Sequence, residues 1–198
     1  MQSEVARLTA ALLRPSGASS DFDLNPALAV PEGQVLREAA VLMALWPQGN
    51  GMQVILTKRA SHLKHHPGQI AFPGGKVEAA DASAQAAALR EAEEEIGLST
   101  TRVEVLGHLP PHETGTGFRI QPILGLVRAG FDPVCDLSEV EEVFTVPLSH
   151  LMEPARYRVE GRVWLGQFRR YYTVPWGPYY IWGATARILR GLAERVAA

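Results

Sequence analysis

A single cysteine, Cys135, stands in 198 residues, which excludes an intramolecular disulfide and fits a reducing compartment. It is read as a small buried apolar residue. No apolar run approaches the roughly 20 residues needed to span a membrane, so no membrane partner is expected. The first residues lack a secretory hydrophobic region and cleavage pattern, and Val196-Ala197-Ala198 is not a peroxisomal tripeptide. A cytoplasmic protein is the resulting expectation. Charge of one sign is missing too: 19 Lys+Arg against 21 Asp+Glu leave a net charge of −2. With no overall basic footprint, nucleic acid is not an expected partner, and any polyanion must meet a local basic cluster. Internal repeats and low-complexity segments are also absent.

What is present is ordinary for a globular chain, 46% hydrophobic and 20% charged. The length suits one domain with a real core. Residues 1–14 read as an amphipathic helix with Val5, Leu8, Leu12 and Leu13 on one side, stopped by Pro15. Residues 16–33 read as a loop or arm, so the chain divides into an N-terminal helix and arm (1–33) and a main domain (34–198). Ala39 to Trp46 is a continuous apolar run, a strand buried on both faces. Met52 to Thr57 follows it across a five-residue connection as a hairpin partner. Further strands are expected over 103–109, 118–127 (despite Pro122) and 140–146, with a loop over 133–138 and a short helix from Pro147. A hairpin is expected around Glu160-Gly161, and a final helix over 184–196 with Ile188, Leu189 and Leu192 inward. This order implies an α/β fold, a mixed sheet covered by helices.

The stretch from Gly74 to Leu98, GGKVEAADASAQAAALREAEEEIGL, organises the rest. Asp81 reads as the N-cap of an Ala-rich helix, and Gly97 as the left-handed residue that ends it. Gln85, Leu89, Ala92 and Ile96 fall on one side, the expected core face. Glu91, Glu94 and Glu95 fall together on the other, as neighbours at i, i+3 and i+4. Like charges at that spacing repel, and carboxylates in a last turn face the negative end of the helix dipole. A solvated polar face is one reading. A divalent cation, which would turn that repulsion into binding, is the favoured one, since hard Mg²⁺ or Mn²⁺ takes carboxylate, phosphate and water oxygens.

These residues resemble the Nudix hydrolases, whose box reads G-x5-E-x7-R-E-U-x-E-E-x-G-U with U aliphatic. Gly75, Arg90, Glu91, Ala92, Glu94, Glu95, Gly97 and Leu98 fill it. Two departures show: Asp81 stands where the family usually has Glu, and eight residues rather than seven separate it from Arg90. In the family that acidic residue supports the arginine; here Asp81 is open to that role or to the cap alone. Upstream, ILTKRASHLKHHPGQIAFPGG resembles the motif LLTxR(SA)x3Rx3Gx3FPGG of the coenzyme A branch of the family. Leu56, Thr57, Arg59, Ala60, Gly68, Phe72, Pro73, Gly74 and Gly75 match, while Lys64 replaces an Arg and loses its bidentate fork. LPPHETGTGF, EVEEVFTVPL and YYIWGATA also look like that branch.

The resemblance implies a Nudix-type α/β/α sandwich that hydrolyses the pyrophosphate of coenzyme A or acyl-coenzyme A to 3′,5′-ADP and 4′-phosphopantetheine. It implies Mg²⁺ or Mn²⁺ held by Glu91, Glu94, Glu95 and the Gly75 carbonyl, with Arg90 orienting the carboxylates and Glu91 or Glu139 as general base. Arg59, Lys64, Gly68, Phe72 and Gly74 are the candidate substrate-binding residues. Arg59 and Lys64, with Lys58, His65 and His66, concentrate positive charge beside the acidic face, suited to phosphate. Phe72 and Pro73 are read first as core and backbone-fixing residues. The alternatives are a broader pyrophosphatase acting on ADP-ribose, dinucleotides or NADH, a non-catalytic nucleotide-binding module, or, more remotely, an isomerase on the same fold. The aromatic-rich stretch Tyr171 to Trp182 is read as core or as a contact in a homodimer.

Overall fold

The computed structural model describes residues 2–15, 17–27, 33, 35–164 and 166–198. Helix α1 (Gln2–Leu12) buries Leu8 and Ala11 but leaves Leu13 exposed, because the helix has ended one residue earlier. The expected loop over residues 16–33 falls partly outside the described residues; within it lies a two-residue strand, β1 (Ser19–Ser20). Strands β2 (Arg37–Gln48) and β3 (Gly51–Arg59) form the expected hairpin. Its connection is two residues, not five, because Pro47 and Gln48 stay in the ladder opposite Met52 and Gly51. Pro47 is at the end of the strand, where a missing N–H is tolerated.

Two short strands follow, β4 (Ile70–Ala71) and β5 (Gly74–Lys76), and then helix α2 (Ala84–Ile96). Strands β6 (Val103–His108), β7 (His112–Glu113), β8 (Phe118–Val127) and β9 (Val140–Pro147) lead to a single-turn helix, α3 (Leu148–Leu151). Strands β10 (Arg158–Trp164) and β11 (Gln167–Thr173) pair with each other as a separate two-stranded ribbon, and helix α4 (Gly183–Ala197) closes the described chain. Their turn lies between Trp164 and Gln167, not at Glu160-Gly161, which sit inside β10 opposite Tyr171 and Arg170.

Beyond that ribbon, the other nine strands make one mixed sheet. Its long central pair, β2 and β8, is parallel from Arg37–Phe118 to Leu45–Leu126, and β3 flanks β2 antiparallel. Alternation along β2 and β3 separates two cores. Ala40, Leu42, Ala44 and Ile55 point to the face covered by α2, where they meet Ala87, Ala88, Ala92, Ile96 and Leu98. Met43, Leu45, Val54 and Leu56 point the other way, to Leu8 and Ala11 of α1 and Ile188, Leu189 and Leu192 of α4. The result is the α/β/α sandwich with a mixed central sheet. Arg195 fastens α1 to α4 by donating to the Ala11 and Leu12 carbonyls at 2.9 and 2.8 Å. Cys135 is half-buried at the edge of the α2-side core rather than inside it.

Candidate active site

The N-cap of helix α2 falls two residues later than Asp81. Ser83 is the N-cap, its hydroxyl accepting the Ala86 N–H at 3.1 Å. Gly97 ends the helix at φ 71°, and the Leu98 N–H bonds back to the Ala92 carbonyl at 3.3 Å. The buried face runs through Ala87, Ala88, Ala92, Glu95 and Ile96, so it is rotated from the expected one: Gln85 is exposed and Leu89 only half-buried. Four of these five side chains are alanine or isoleucine, and the small ones let the helix lie close on the sheet. Glu95 is on that same face, not opposite it, and is 4% exposed.

The glycine pair explains how a carboxylate fits there. Gly74 has φ 153°, and a Cβ on it would fall 2.4 Å from the Ala40 carbonyl oxygen, so β5 can press against β2 only without a side chain. Its N–H then donates to Glu95 Oε2 at 3.0 Å. A Cβ on Gly75 would fall 2.4 Å from Glu91 Oε1, so this glycine makes room for the second carboxylate. Burial raises the Glu95 pKa to about 7 against the pull of the Gly74 N–H, and the charges of Glu91 and Glu139 add to the rise. Burial likewise raises Glu91, opposed by Arg90 and reinforced by Glu94 and Glu139. Glu139, an exposed loop residue, is held near this centre by its carbonyl, which accepts the Ala60 N–H at 2.8 Å.

Arg90 ties the surrounding pieces together. Its Nε and Nη2 donate to the two oxygens of Asp81, each at 3.1 Å, a bidentate fork. Nη2 also reaches Glu91 Oε1 at 3.1 Å and the Lys76 carbonyl at 3.3 Å, and Nη1 reaches Glu94 Oε2 at 2.8 Å. Asp81 is therefore the arginine's partner and not the cap; it also accepts the Glu78 N–H at 2.8 Å, and these bonds hold its carboxyl below the ordinary range. The contact forms despite the extra residue between Asp81 and Arg90. Glu94 stands apart from the other two glutamates: 57% exposed and paired with Arg90.

The basic loop borders this centre. Arg59 is half-buried at the end of β3, where its charge works against the rise in the Glu95 pKa. Its backbone brackets the loop, its N–H bonding the Gln69 carbonyl at 3.0 Å and its carbonyl accepting the Gly68 N–H at 3.1 Å. Gly68 takes φ 67° to close that turn. Lys64 and His65 are exposed, and so is His66, which has positive φ. Partial desolvation of the ring by the surrounding loop, and the Arg59 charge, hold the His66 pKa below its ordinary value. Phe72 is 4% exposed within the α1/α4-side core. Lys58 is turned to Glu141 at 2.7 Å.

Sequence reasoning passed over the wall beyond the loop. His112, fully buried, bridges Ser19 Oγ at 2.9 Å and Asp21 Oδ1 at 3.1 Å, and Asp21 Oδ2 accepts the Gly115 N–H at 2.9 Å. This pins the N-terminal arm to the 112–117 turn. The arm continues to Asn25, whose carboxamide donates to the Arg170 carbonyl at 2.9 Å and accepts the Arg170 N–H at 2.8 Å. The signal was the HETGTG run, but its partners lie about 90 residues earlier in the chain.

The donor set fits a hard divalent cation: one nearly enclosed carboxylate with a raised pKa, a second beside it, a third in their field, and a glycine cradle. Among the described residues no three such side chains yet converge on one point, with Glu94 held on Arg90. Fold and site together define an α/β/α enzyme that gathers carboxylates beneath a Gly-Gly strand. The NUDIX domain family model matches residues 36–166. An uncharacterized Nudix hydrolase, NudL, of Enterobacter sp. (strain 638) is 40% identical over 168 residues, covering 81% of this chain and 83% of that protein. The same-named protein of Salmonella paratyphi B (strain ATCC BAA-1250 / SPB7) is 41% identical over 170 residues, with the same coverage. Two solved structures share the fold: a MutT protein from Methanosarcina mazei Go1 (TM-score 0.51, 20% identity, covering 82% of this chain and 94% of that one) and a MutT/nudix family protein from Enterococcus faecalis (TM-score 0.51, 19% identity, covering 85% and 65%). The chain belongs to the Nudix family. It is a Nudix hydrolase, of a class of pyrophosphohydrolases that act on nucleoside diphosphate derivatives and generally use divalent metal ions.

Proposed function

We propose that this enzyme cleaves the diphosphate linkage of coenzyme A or acyl-coenzyme A, releasing 3′,5′-ADP and 4′-phosphopantetheine, with Mg²⁺ or Mn²⁺ as cofactor. The observation that carries it is Glu95 buried under Gly74 beside Glu91 and Glu139, with Arg59 on the rim. A divalent ion bound by Glu91, Glu95, Glu94 and the Gly75 carbonyl would neutralise diphosphate charge and make an attacking water more acidic. Arg90 fixes the Glu91 carboxylate and the strand carbonyl of Lys76 in one frame. Glu139, the least enclosed of the three carboxylates in that field, accepts the proton of the attacking water. Arg59 and Lys64 take the phosphate charge, while the Gly68 turn shapes the loop that carries them and Gly74 and Phe72 back it.

Glu94 reaches the centre only by leaving Arg90, so Glu94→Gln lowers turnover less than Glu95→Gln, which lowers it by orders of magnitude. Equal losses in steady-state rates would place both carboxylates in one role. The coenzyme A assignment rests on the loop motif from Leu56 to Gly75 that continues into the box. It is tested by product analysis of purified protein with coenzyme A or ADP-ribose and Mg²⁺ or Mn²⁺. Faster cleavage of ADP-ribose would move the reading to the broader pyrophosphatase. Tight nucleotide binding with no monophosphate released from either substrate would leave a binding module.

A further inference from the structure

The β10–β11 ribbon places two arginines side by side, of which Arg169 acts on Asp21 of the arm. Arg162 and Arg169 stand directly opposite each other in the ladder, and like charges at that position destabilise a two-stranded ribbon. Such a ribbon is marginal by itself. The Arg162 guanidinium lies over the Trp182 indole at 4.4 Å, and Tyr171 meets the same indole edge-on at 5.1 Å. Tyr180 completes the wall, its hydroxyl donating to Glu160 Oε2 at 2.6 Å. Arg162 is exposed, so its guanidinium lies over the indole while remaining open to solvent.

This wall adjoins the basic loop. Trp182 precedes Gly183, whose missing Cβ would sit 3.9 Å from Gln69 Nε2, and the Gln69 carbonyl accepts the Arg59 N–H at 3.0 Å. Thr185 Oγ1 bonds the Ile70 carbonyl at 3.1 Å, fixing the start of α4 to the same segment. On the ribbon's other strand, Asn25 holds Arg170 and the Asp21–His112 pair holds the arm. The platform is therefore fixed relative to Arg59 and the carboxylates.

We propose that Arg162 and Trp182 form the base-stacking subsite of this active site, taking the adenine of an anionic adenine nucleotide on the outer face of the Arg162 guanidinium. The proposal rests on the diphosphate-hydrolase reading and adds where the nucleotide end of the substrate lies. A planar guanidinium backed by an indole stacks on a purine, and base stacking contributes about 1–3 kcal/mol, or roughly 5- to 150-fold in affinity. The exposed positive charge of Arg162 favours a phosphorylated nucleotide over a neutral nucleoside.

The test measures binding of AMP and of ribose 5-phosphate, which carries the same phosphate without a base, to the full chain by calorimetry. The wild type binds AMP at least fivefold more tightly than ribose 5-phosphate. Arg162→Ala removes that preference, and so does Arg162→Lys, which keeps the charge but not the plane. Trp182→Phe, which keeps an aromatic backing, retains part of it. Equal affinity of the wild type for the two ligands overturns the proposal, as does an undiminished AMP preference in Arg162→Lys. If AMP shows this dependence but no diphosphate is cleaved, the subsite stands and the hydrolase reading falls.

Discussion

Glu95 stores free energy that shows as a pH dependence. Its carboxyl ionises at about 7 in the folded chain, against an ordinary value of 4.5, so between those pH values the folded state binds more protons than the unfolded one. The contribution of Glu95 to the stability of the metal-free protein is then fully present below about 4.5 and is lost as pH rises toward 7, by on the order of 3 kcal/mol. Glu91 shifts in the same direction. Glu95→Gln keeps an acceptor for the Gly74 N–H and removes the ionisation. In chelator, thermal melts at pH 8 put this variant above the wild type, and the two converge near pH 4.5. A wild type as stable as the variant at pH 8 would mean that the carboxylate is not desolvated.

The two glycines separate cleanly by the same reasoning. Alanine at Gly74 meets a backbone carbonyl at 2.4 Å in a left-handed conformation, so Gly74→Ala disrupts the β5–β2 contact and lowers the melting temperature by several degrees. The atoms nearest an alanine Cβ at Gly75 are those of the Glu91 carboxylate, a side-chain end that moves aside. Gly75→Ala therefore folds with nearly the wild-type melting temperature and loses at least about tenfold in turnover. The sequence displayed both glycines and all three box glutamates. It did not display which carboxylate is enclosed, because that depends on how α2 rolls on the sheet, and a stripe of alanines is compatible with several rolls.

At the scale of elements, long apolar strands and the terminal helix were readable because burial on both faces or on one stripe leaves a strong pattern; β2, β8 and α4 are examples. Pro122 sits mid-strand in β8 without breaking it. There the outer neighbour changes from β6, which reaches Ile123, to β7, which starts at Ile120, and the Pro122 carbonyl accepts the Leu109 N–H at 3.0 Å. A gap in the ladder at that point leaves no donor missed. Two-residue strands such as β4 and β7 have no period to detect, and the ribbon's turn was misplaced because Glu160-Gly161 looks like a turn, whereas Gly161 lies beneath the Phe168 ring. The cap was misplaced in the same way, since Asp81 and Ser83 both suit it. Arg90 decides between them by claiming Asp81. Ser83→Ala then costs about 1 kcal/mol in a denaturant titration, while Asp81→Asn loosens Arg90 and leaves the cap intact.

The molecule is two cores on one large sheet, with the N-terminal helix and arm reaching across to structures contributed by the second half of the chain. Arg195 holds α1, His112 holds Ser19 and Asp21, and Asn25 holds β11. The apolar stripe of α1 was legible, but nothing in the sequence foretold these polar ties, because every partner is distant in the chain. The Asn25 carboxamide does more than anchor the arm. By occupying both the N–H and the C=O of Arg170, it fills the outward hydrogen-bonding positions of a ribbon edge that the Thr173–Trp182 bridge takes up again farther along. Left open, such an edge invites accretion by a strand from another molecule. Asn25→Ala should leave the melting temperature close to wild type yet raise light scattering with concentration and time, since one amide is what keeps neighbouring copies from zipping onto this border.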